Sequence, residues 1–298
     1  MEYQFEQVDV FTTKRFAGNP LAVFTQAAGL THEQMQLIAR EMNLSETTFV
    51  EPSPRPDCVA RYHIFTPGQE LPFAGHPTIG TAYVLAHSGR VQAATTSFNM
   101  EAKVGVVPMR IEGRASDPTA LFFTSPNVQF GPTYENRALI AEALNVSVDD
   151  LLPGIPLQQV GCPVPFLDVG LKTPELVDRV IMNHAAFSRL VDDDGVAGVY
   201  IFAPAPSKNR FYTRMLGFEN VGVVEDPATG SAASPLGAYL VRYGLVSDED
   251  AIKIVIEQGV KMGRQSFINV LVSRDGAAAH RIEVGGSVVP VLKGELTV

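Results

Sequence analysis

The sequence contains little cysteine, and its two cysteines form no recognisable motif. Cys58 lies in a strand-like run and Cys162 precedes a proline, with no CxxC pair and no Cys/His spacing typical of a metal site. We interpret both as reduced structural thiols and expect no bound metal. A GxGxxG after a strand, GxxxxGKS/T, GxSxG and HExxH are also absent. These absences argue against nucleotide-binding loops, nucleophile-elbow hydrolases and HExxH metalloproteases.

Positive charge and long apolar runs are also scarce. The chain has 23 lysines and arginines against 32 aspartates and glutamates, and its formal net charge is −9 at pH 7. Without a local Lys/Arg cluster, this charge argues against binding nucleic acid or an anionic membrane surface. No apolar stretch approaches the length of about 18 residues of a membrane span, and the start MEYQFEQVDV does not resemble a signal peptide. We therefore expect a cytoplasmic protein that acts on small molecules.

An internal repeat indicates two similar halves, for which 298 residues are enough. The segment His76–Ala82, HPTIGTA, resembles the segment Asp226–Ala232, DPATGSA, and an apolar run ending at a glycine follows each. Proline suits the first turn of a helix and glycine the position after its end, so the motifs predict helices over 77–88 and 227–243. Both helices are apolar nearly all round, which is typical of a helix wrapped by other elements.

The rest of the chain is predicted to contain clusters of strands around a few further helices. Thr31 and Gln34 form a capping-box pattern before one of these helices. Strands are predicted at about 2–11, 21–25, 58–66, 96–101, 103–112, 119–124, 157–160, 165–170, 197–203, 211–217, 252–257, 268–273, 279–284 and 287–293. The further helices are predicted at about 31–43, 134–144, 174–182 and 184–191. Clustered strands without regular βαβ order favour an α+β fold with mainly antiparallel sheets.

Pro126, with the glycine and proline that follow it closely, marks a break between the halves. We place an N-terminal domain at 1–126 and a C-terminal domain at 127–286. The last strand, at about 287–298, could pair back with the N-terminal domain.

Three side chains are candidates for acid–base chemistry. Asp226 is a favourable N-cap, because its carboxylate can accept from the free N–H groups of a helix start. His76 is not a favoured N-cap, so proton transfer or a hydrogen bond to a ligand would better explain its ring. Glu46, in the Ser45-Glu46-Thr47 triplet at the mouth of a strand, could act as a general acid/base when buried. Singly, each is better explained as a structural residue; the matching positions of His76 and Asp226 favour function.

The two helix starts could also bind an anion, because their free N–H groups and the helix dipole attract negative charge. We interpret Ser231 as an anion-binding hydroxyl at one of these starts. Arg210 and Arg214 could meet a substrate carboxylate or pair with local acids, and the sequence leaves their role open.

Several long motifs, in the right order, resemble the phenazine-biosynthesis PhzF-like family of isomerases, within the diaminopimelate-epimerase-like superfamily. The motifs are GNPLAV at 18–23, NLSETTFV at 43–50, FTP at 65–67, ELPFAGHPTIGTA at 70–82 and VEDPATGSA at 224–232. Gln258-Gly259 and Met262-Gly263-Arg264 also look like the family's pattern. Gln265 stands where relatives often have proline, which affects a strand more than the site.

This resemblance implies two similar domains, each a curved, mainly antiparallel sheet wrapped around a central helix, with the active site in the cleft between them. It also implies an isomerase without a cofactor, in which Glu46 moves a proton on a small carboxylate-bearing substrate while His76 and Asp226 assist. The substrate-binding positions implied at the same motifs are Ser45, Gly75, Gly230 and Ser231. A homodimer is usual for this family.

Two alternatives remain at this stage. One is a non-catalytic protein that binds small carboxylates on the same fold. The other is a racemase, epimerase or hydrolase of the superfamily, although the paired cysteines of its racemases are replaced here by Glu46 and a cysteine-free DPATGSA stretch. The sequence does not identify the substrate, the pathway or any connection with phenazine synthesis.

Overall fold

The computed structural model describes residues 1–190, 195–217, 224–275 and 278–298. They form two compact units: unit 1 is Met1–Thr124 with Val284–Val298, and unit 2 is Ser125–Glu283. The predicted domains 1–126 and 127–286 stay a prediction, because compactness does not show that a segment folds independently. Within the described residues, no helix is long and apolar enough to cross a membrane.

Strands and helices are numbered in chain order. Up to residue 124 they are β1 (Glu2–Val10), β2 (Asn19–Phe24), α1 (His32–Met42), β3 (Glu46–Glu51), β4 (Arg61–Phe65), β5 (Glu70–Leu71), α2 (Gly75–His87), β6 (Ser97–Ala102), β7 (Gly105–Arg114) and β8 (Asp117–Thr124). From residue 125 they are β9 (Gln129–Thr133), α3 (Arg137–Leu144), β10 (Gln158–Gly161), β11 (Pro165–Gly170), α4 (Pro174–Arg179), α5 (His184–Leu190), β12 (Gly198–Pro204), β13 (Arg210–Gly217), β14 (Glu225–Asp226), α6 (Gly230–Arg242), β15 (Ala251–Gln258), β16 (Ser266–Asp275), β17 (Ala278–Gly286) and β18 (Val288–Thr297).

In unit 1, the strands pair in the order β18–β1–β2–β3–β4–β6–β7–β8, with β5 also on β4. Only β2–β3 and β4–β6 among these pairs are parallel. Helix α2 packs against β8, β2 and β1, and its residues from Gly75 to Ala86 are buried. The prediction of a central helix wrapped by a mainly antiparallel sheet is therefore confirmed for this unit.

Unit 2 repeats this arrangement. Its strands pair in the order β9–β10–β11–β12–β13–β15–β16, with β14 also on β13. The parallel pairs are again one strand apart, β11–β12 and β13–β15. Helix α6 packs against β16 and β10, and its residues from Ala232 to Val241 are buried. The α+β fold of two similar halves follows from these two sets of paired strands.

The repeat is closest around the two central helices. Each has 13 residues, and each begins at a glycine that lies five positions after the first residue of a two-residue strand, β5 or β14. Two residues after each helix, a glycine with positive φ, Gly89 or Gly244, turns the chain. Glycine suits this place because it adopts the left-handed conformation without strain.

These helices do not start where the two motifs predict. Helix α2 begins at Gly75 instead of 77, because the Ala74 carbonyl already accepts from the N–H and the hydroxyl of Thr78. It ends at His87 rather than 88. His76 is therefore inside the first turn, and the prediction that it precedes the helix is wrong.

Helix α6 runs from Gly230 to Arg242 instead of over 227–243. Asp226 is held in β14, where it pairs with Met215, and Thr229 occupies the N-cap position. The prediction that Asp226 is the N-cap is wrong for this reason. Counted from the helix starts, the counterpart of His76 is Ser231, so His76 and Asp226 do not occupy matching positions.

Most other predictions are confirmed within a few residues. Helix α1 has the predicted capping box between Thr31 and Gln34. The predicted strand at 58–66 is shorter in the structure, where β4 spans Arg61–Phe65. The helix predicted at 134–144 begins at Arg137, after its N-cap Asn136. The end of the helix predicted at 184–191 lies outside the described residues.

Candidate active site

Glu46 and His76 meet at the start of α2. Glu46 is the first residue of β3, and His76 is the second residue of the helix. Glu46 Oε2 lies 3.4 Å from His76 Nε2, and the two side chains are 14% and 3% exposed. The structure therefore brings together two of the three predicted catalytic residues within unit 1.

The imidazole of His76 is neutral in this environment. Burial lowers the pKa of His76 to about 3, and a hydrogen bond with the Pro20 carbonyl opposes this shift without outweighing it. The Asn19 Nδ2 amide, a hydrogen-bond donor, lies 3.0 Å from His76 Nδ1. A neutral imidazole has one donor and one acceptor nitrogen, so it can pass a proton without holding a charge.

Hydroxyl groups fix α2 to β3, which carries Glu46, and to the neighbouring strand β4. Thr48, two residues beyond Glu46 in β3, is hydrogen-bonded to Thr81 at 2.8 Å. Thr78 donates its hydroxyl proton to the Ala74 carbonyl at 2.7 Å, so the Tyr62 hydroxyl of β4 must be the donor in its 2.7 Å bond with Thr78. These buried bonds hold the helix start, and with it His76, at a fixed place relative to β3.

Ser45 and Gly75 adjoin this pair along the chain. Ser45 is half-buried and directly precedes β3, and Gly75 is the buried first residue of α2. Their predicted contact with a substrate stays a prediction.

Asp226 lies in unit 2 and takes part in a separate group of hydrogen bonds. The residue is buried, at 6% exposure, and its Oδ2 accepts from the Thr229 hydroxyl at 2.5 Å. Its backbone carbonyl accepts from the Gln258 amide at 2.7 Å. Gly230 and Ser231 follow as the first two residues of α6, and Ser231 is half-buried. Three predicted site residues thus lie at, or shortly before, one helix start.

The two arginines that the sequence left open have local acidic partners. Arg214 is buried and donates to both carboxylate oxygens of Glu225, at 2.8 and 2.9 Å, and to the carbonyl of Val180 at 3.0 Å. Arg210 is more exposed and lies 3.9 Å from Glu257. Arg214 therefore ties β14, which contains Asp226, to the end of α4.

Asn19, Thr229 and Gln258 are polar neighbours of the candidate residues that the sequence did not single out as site residues. In the sequence, Asn19 stands out only as part of the GNPLAV motif, and Thr229 only as part of a predicted helix. Gln258 could have been found from periodicity. It continues the alternation of the buried residues Ile252, Ile254 and Ile256, and a polar residue at a buried strand position needs hydrogen-bond partners.

Both cysteines are free thiols. Cys162 is buried and Cys58 is partly buried, and in both cases desolvation raises the pKa of the thiol. Among the described residues, no three His, Cys, Asp or Glu side chains form a group that could hold a metal ion.

Comparison with known proteins identifies the family. The family model described as "Phenazine biosynthesis-like protein", PhzC-PhzF, matches residues 8–294. The chain is 33% identical to an uncharacterized isomerase of Clostridium acetobutylicum, over 99% of this chain and 98% of the relative. It is also 33% identical to the trans-2,3-dihydro-3-hydroxyanthranilate isomerase of Pseudomonas aeruginosa, over 96% of each chain.

The fold is similar to that of a solved family member. The crystal structure of the Bacillus anthracis phenazine biosynthesis protein of the PhzF family matches with a TM-score of 0.89 and 26% identity, over 100% of both chains. The resemblance seen in the motifs is thereby confirmed over nearly the whole sequence. The chain belongs to the phenazine biosynthesis-like PhzC-PhzF family and is an isomerase.

Proposed function

We propose that this isomerase moves a proton on a small carboxylate-bearing metabolite by general acid/base catalysis, without a cofactor. The observation that supports this most is the largely buried pair of Glu46 and His76, whose Oε2 and Nε2 atoms lie 3.4 Å apart. A carboxylate beside a neutral imidazole can take a proton from carbon and return it. The relative that acts on trans-2,3-dihydro-3-hydroxyanthranilate suggests a cyclic carboxylate as the substrate class.

In this proposal Glu46 acts first as base and then as acid. A C–H bond of the substrate breaks, its proton forms an O–H bond with Glu46, and its electron pair enters the conjugated system of the substrate. The proton then returns to a second carbon, so that substrate and product have the same composition. His76 exchanges protons or hydrogen bonds with Glu46 during these steps without becoming charged, because burial disfavours the imidazolium.

We extend the proposal to the remaining family motifs. Asp226 assists proton transfer, while Ser45, Gly75, Gly230 and Ser231 bind the substrate. Support comes from the motifs that contain them and from the N–H groups at the two helix starts, which stabilise negative charge.

Solvent-deuterium incorporation tests the proposal. Protein dialysed against a chelator is incubated with trans-2,3-dihydro-3-hydroxyanthranilate in D2O, and we expect deuterium in recovered substrate or product. Glu46→Gln should reduce the exchange rate at least about 100-fold, because the base is lost. Glu51→Gln, at the other end of β3, is the matched control and should retain exchange. Retained exchange in a folded Glu46→Gln variant would falsify the assignment of Glu46.

A racemase that uses two thiols receives less support. Desolvation raises the pKa of Cys162 and Cys58, which disfavours the reactive thiolate. We expect the double variant Cys58→Ser, Cys162→Ala to turn over the same compound at nearly the wild-type rate. Loss of turnover with retained folding would favour thiol chemistry.

We also propose that the isomerase is a homodimer in the cytoplasm, as the composition and the family resemblance suggest. Sedimentation velocity at micromolar concentration would show a dimer, and a monomer under those conditions would contradict this part of the proposal.

A further inference from the structure

Gln258, the last residue of β15, has a side chain that is completely buried beside the start of α6. Its Oε1 accepts from the backbone N–H of Thr229 at 3.2 Å and from the Tyr200 hydroxyl at 2.9 Å. Its Nε2 donates to the Asp226 carbonyl at 2.7 Å and to the Thr229 hydroxyl at 3.0 Å. Every donor and acceptor of this amide thus has a partner.

The partners determine which way round the amide must lie. A backbone N–H can only donate and a backbone carbonyl can only accept, so exchanging Oε1 and Nε2 would place like groups together at both contacts. The Thr229 hydroxyl accepts from Nε2 and therefore keeps its own proton for the Asp226 carboxyl, 2.5 Å away. Gln258 therefore donates to the Thr229 hydroxyl, and Thr229 in turn donates to the Asp226 carboxyl.

We propose that Gln258 and Thr229 are positioning residues that hold the carboxyl of Asp226 in its working orientation. Gln258 fixes the backbone on both sides of the Pro227-Ala228 step, at Asp226 and at Thr229, and Thr229 fixes the carboxyl itself. This inference rests on the proposed role of Asp226 in the reaction. It concerns only hydrogen bonds within unit 2.

Isosteric variants separate the hydroxyl from the shape of the side chain. Thr229→Val removes the donor to Asp226 at nearly constant volume, and Thr229→Ser keeps it. Gln258→Met keeps the length of the side chain without its amide. Thr213→Val is the matched control. It removes another completely buried hydroxyl of unit 2, which can donate to the Glu257 carbonyl at 3.3 Å or to the Tyr200 hydroxyl at 3.4 Å. Because Tyr200 is itself the donor to Gln258, that bond does not depend on the Thr213 hydroxyl.

Crystal structures of these variants give the first readout, which needs no ligand. We expect the Asp226 carboxyl to reorient or to adopt several conformers in Thr229→Val and Gln258→Met. It should keep its wild-type position in Thr229→Ser and Thr213→Val. An unchanged, single Asp226 conformer in both Thr229→Val and Gln258→Met would overturn the inference.

Steady-state kinetics with trans-2,3-dihydro-3-hydroxyanthranilate give the second readout. Thr229→Val and Gln258→Met should lower kcat about 10- to 100-fold with little change in KM, because a misplaced catalytic group slows the chemical step. Thr229→Ser should restore most of the rate. Equal kcat losses in Thr229→Val and Thr229→Ser would overturn the inference, since both variants fill the site but only serine retains the donor.

Asp226→Asn distinguishes this inference from the proposed function. If Asp226→Asn turns over at the wild-type rate, the proposed function of Asp226 fails, and with it the functional part of the inference. If Asp226→Asn is impaired while Thr229→Val and Gln258→Met are not, the function stands and the positioning role fails.

Discussion

The starts of α2 and α6 share a backbone plan but place their polar groups at different points of it. In unit 1 the candidate group, His76, is in the first turn and contacts Asn19 of a neighbouring strand. In unit 2 the candidate group, Asp226, lies four residues before the helix and contacts Thr229 and Gln258. A repeated backbone therefore does not fix the place of its chemistry, which depends on the local hydrogen-bond partners.

The strands that pack against the two helices also differ in the residues they bury. In unit 1, pairing from strand to strand leads from Val23 of β2 to Leu71, the second residue of β5. In unit 2 it leads from Asp168 of β11 to Asp226, the second residue of β14, so Val23 and Asp168 occupy corresponding positions. Val23 and Asp168 are both completely buried. Unit 2 thus has a buried acid where unit 1 has an apolar residue.

Substitution at the second residue of each helix should give the largest difference between the two units. We expect His76→Gln to lower kcat about 100- to 10,000-fold, because a proton-transfer partner is lost. Ser231→Ala should lower kcat about tenfold, the effect of one hydrogen bond to a substrate. Initial rates with trans-2,3-dihydro-3-hydroxyanthranilate measure both. Losses of equal size would mean that the two helix starts contribute alike.

The acidic residue of each short strand offers a second comparison. In β14, Arg214 pairs with Glu225 and only 8% of its side chain is exposed, whereas Lys103, the partner of Glu70 in β5, is 60% exposed. We expect Arg214→Met to lower the free energy of unfolding by about 3 kcal/mol, because Glu225 stays behind without its partner. Lys103→Met should cost less than about 1 kcal/mol. Urea unfolding at pH 7.5 measures both; a cost for Lys103→Met as large as that for Arg214→Met would contradict the comparison.

Asp168 should make the stability of the protein fall as pH rises. Neither carboxyl oxygen has a hydrogen-bond partner among the described residues, and burial raises the pKa of Asp168 well above its usual range. In the unfolded chain the Asp168 carboxyl ionises near pH 4, whereas in the folded protein it keeps its proton. Stability is therefore lost above about pH 4, by up to about 1.4 kcal/mol per pH unit, until the folded group ionises as well.

Asp168→Asn removes this titration and preserves the shape of the protonated side chain. In urea unfolding we expect the variant to match wild type near pH 4 and to become progressively more stable than wild type toward pH 8. If the difference in stability between the variant and wild type stays constant across this range, the Asp168 carboxyl has the same pKa in the folded and unfolded states, and the prediction fails.

His76 should have the opposite effect on stability. Burial lowers the pKa of His76 to about 3, whereas the unfolded ring takes up a proton below about pH 6.5. The stability that the neutral ring provides is complete above pH 6.5 and decreases as pH falls toward 3, by about 1.4 kcal/mol at pH 5.5. We expect His76→Gln to flatten this part of a urea-unfolding profile; a slope equal to that of wild type would exclude the effect.

The sequence predicts those elements whose cause is local. Helix α1 was predicted with its cap because Thr31 and Gln34 bond within one turn. Helices α2 and α6 were predicted as buried because their apolar residues point in all directions. Both signals can be seen in a short window of residues, so periodicity and capping were sufficient.

The errors arose where distant residues decide. The predicted start of α6 was wrong because Gln258, 32 residues away, and Met215 hold Asp226 in the sheet. The contact between Glu46 and His76 depends on how β3 packs against α2, and spacing along the chain does not reveal it. Family motifs pointed to both residues, but they did not show that the two side chains meet in one unit.

The short connections before the central helices have a consequence for ligand binding. Three residues, 72–74 in unit 1 and 227–229 in unit 2, join a paired strand to a buried helix. Such connections leave little freedom to the backbone around His76 and Asp226, so little conformational entropy remains to be lost when a ligand is held there. A preorganised backbone of this kind leaves more of the contact free energy for affinity and for the chemical step.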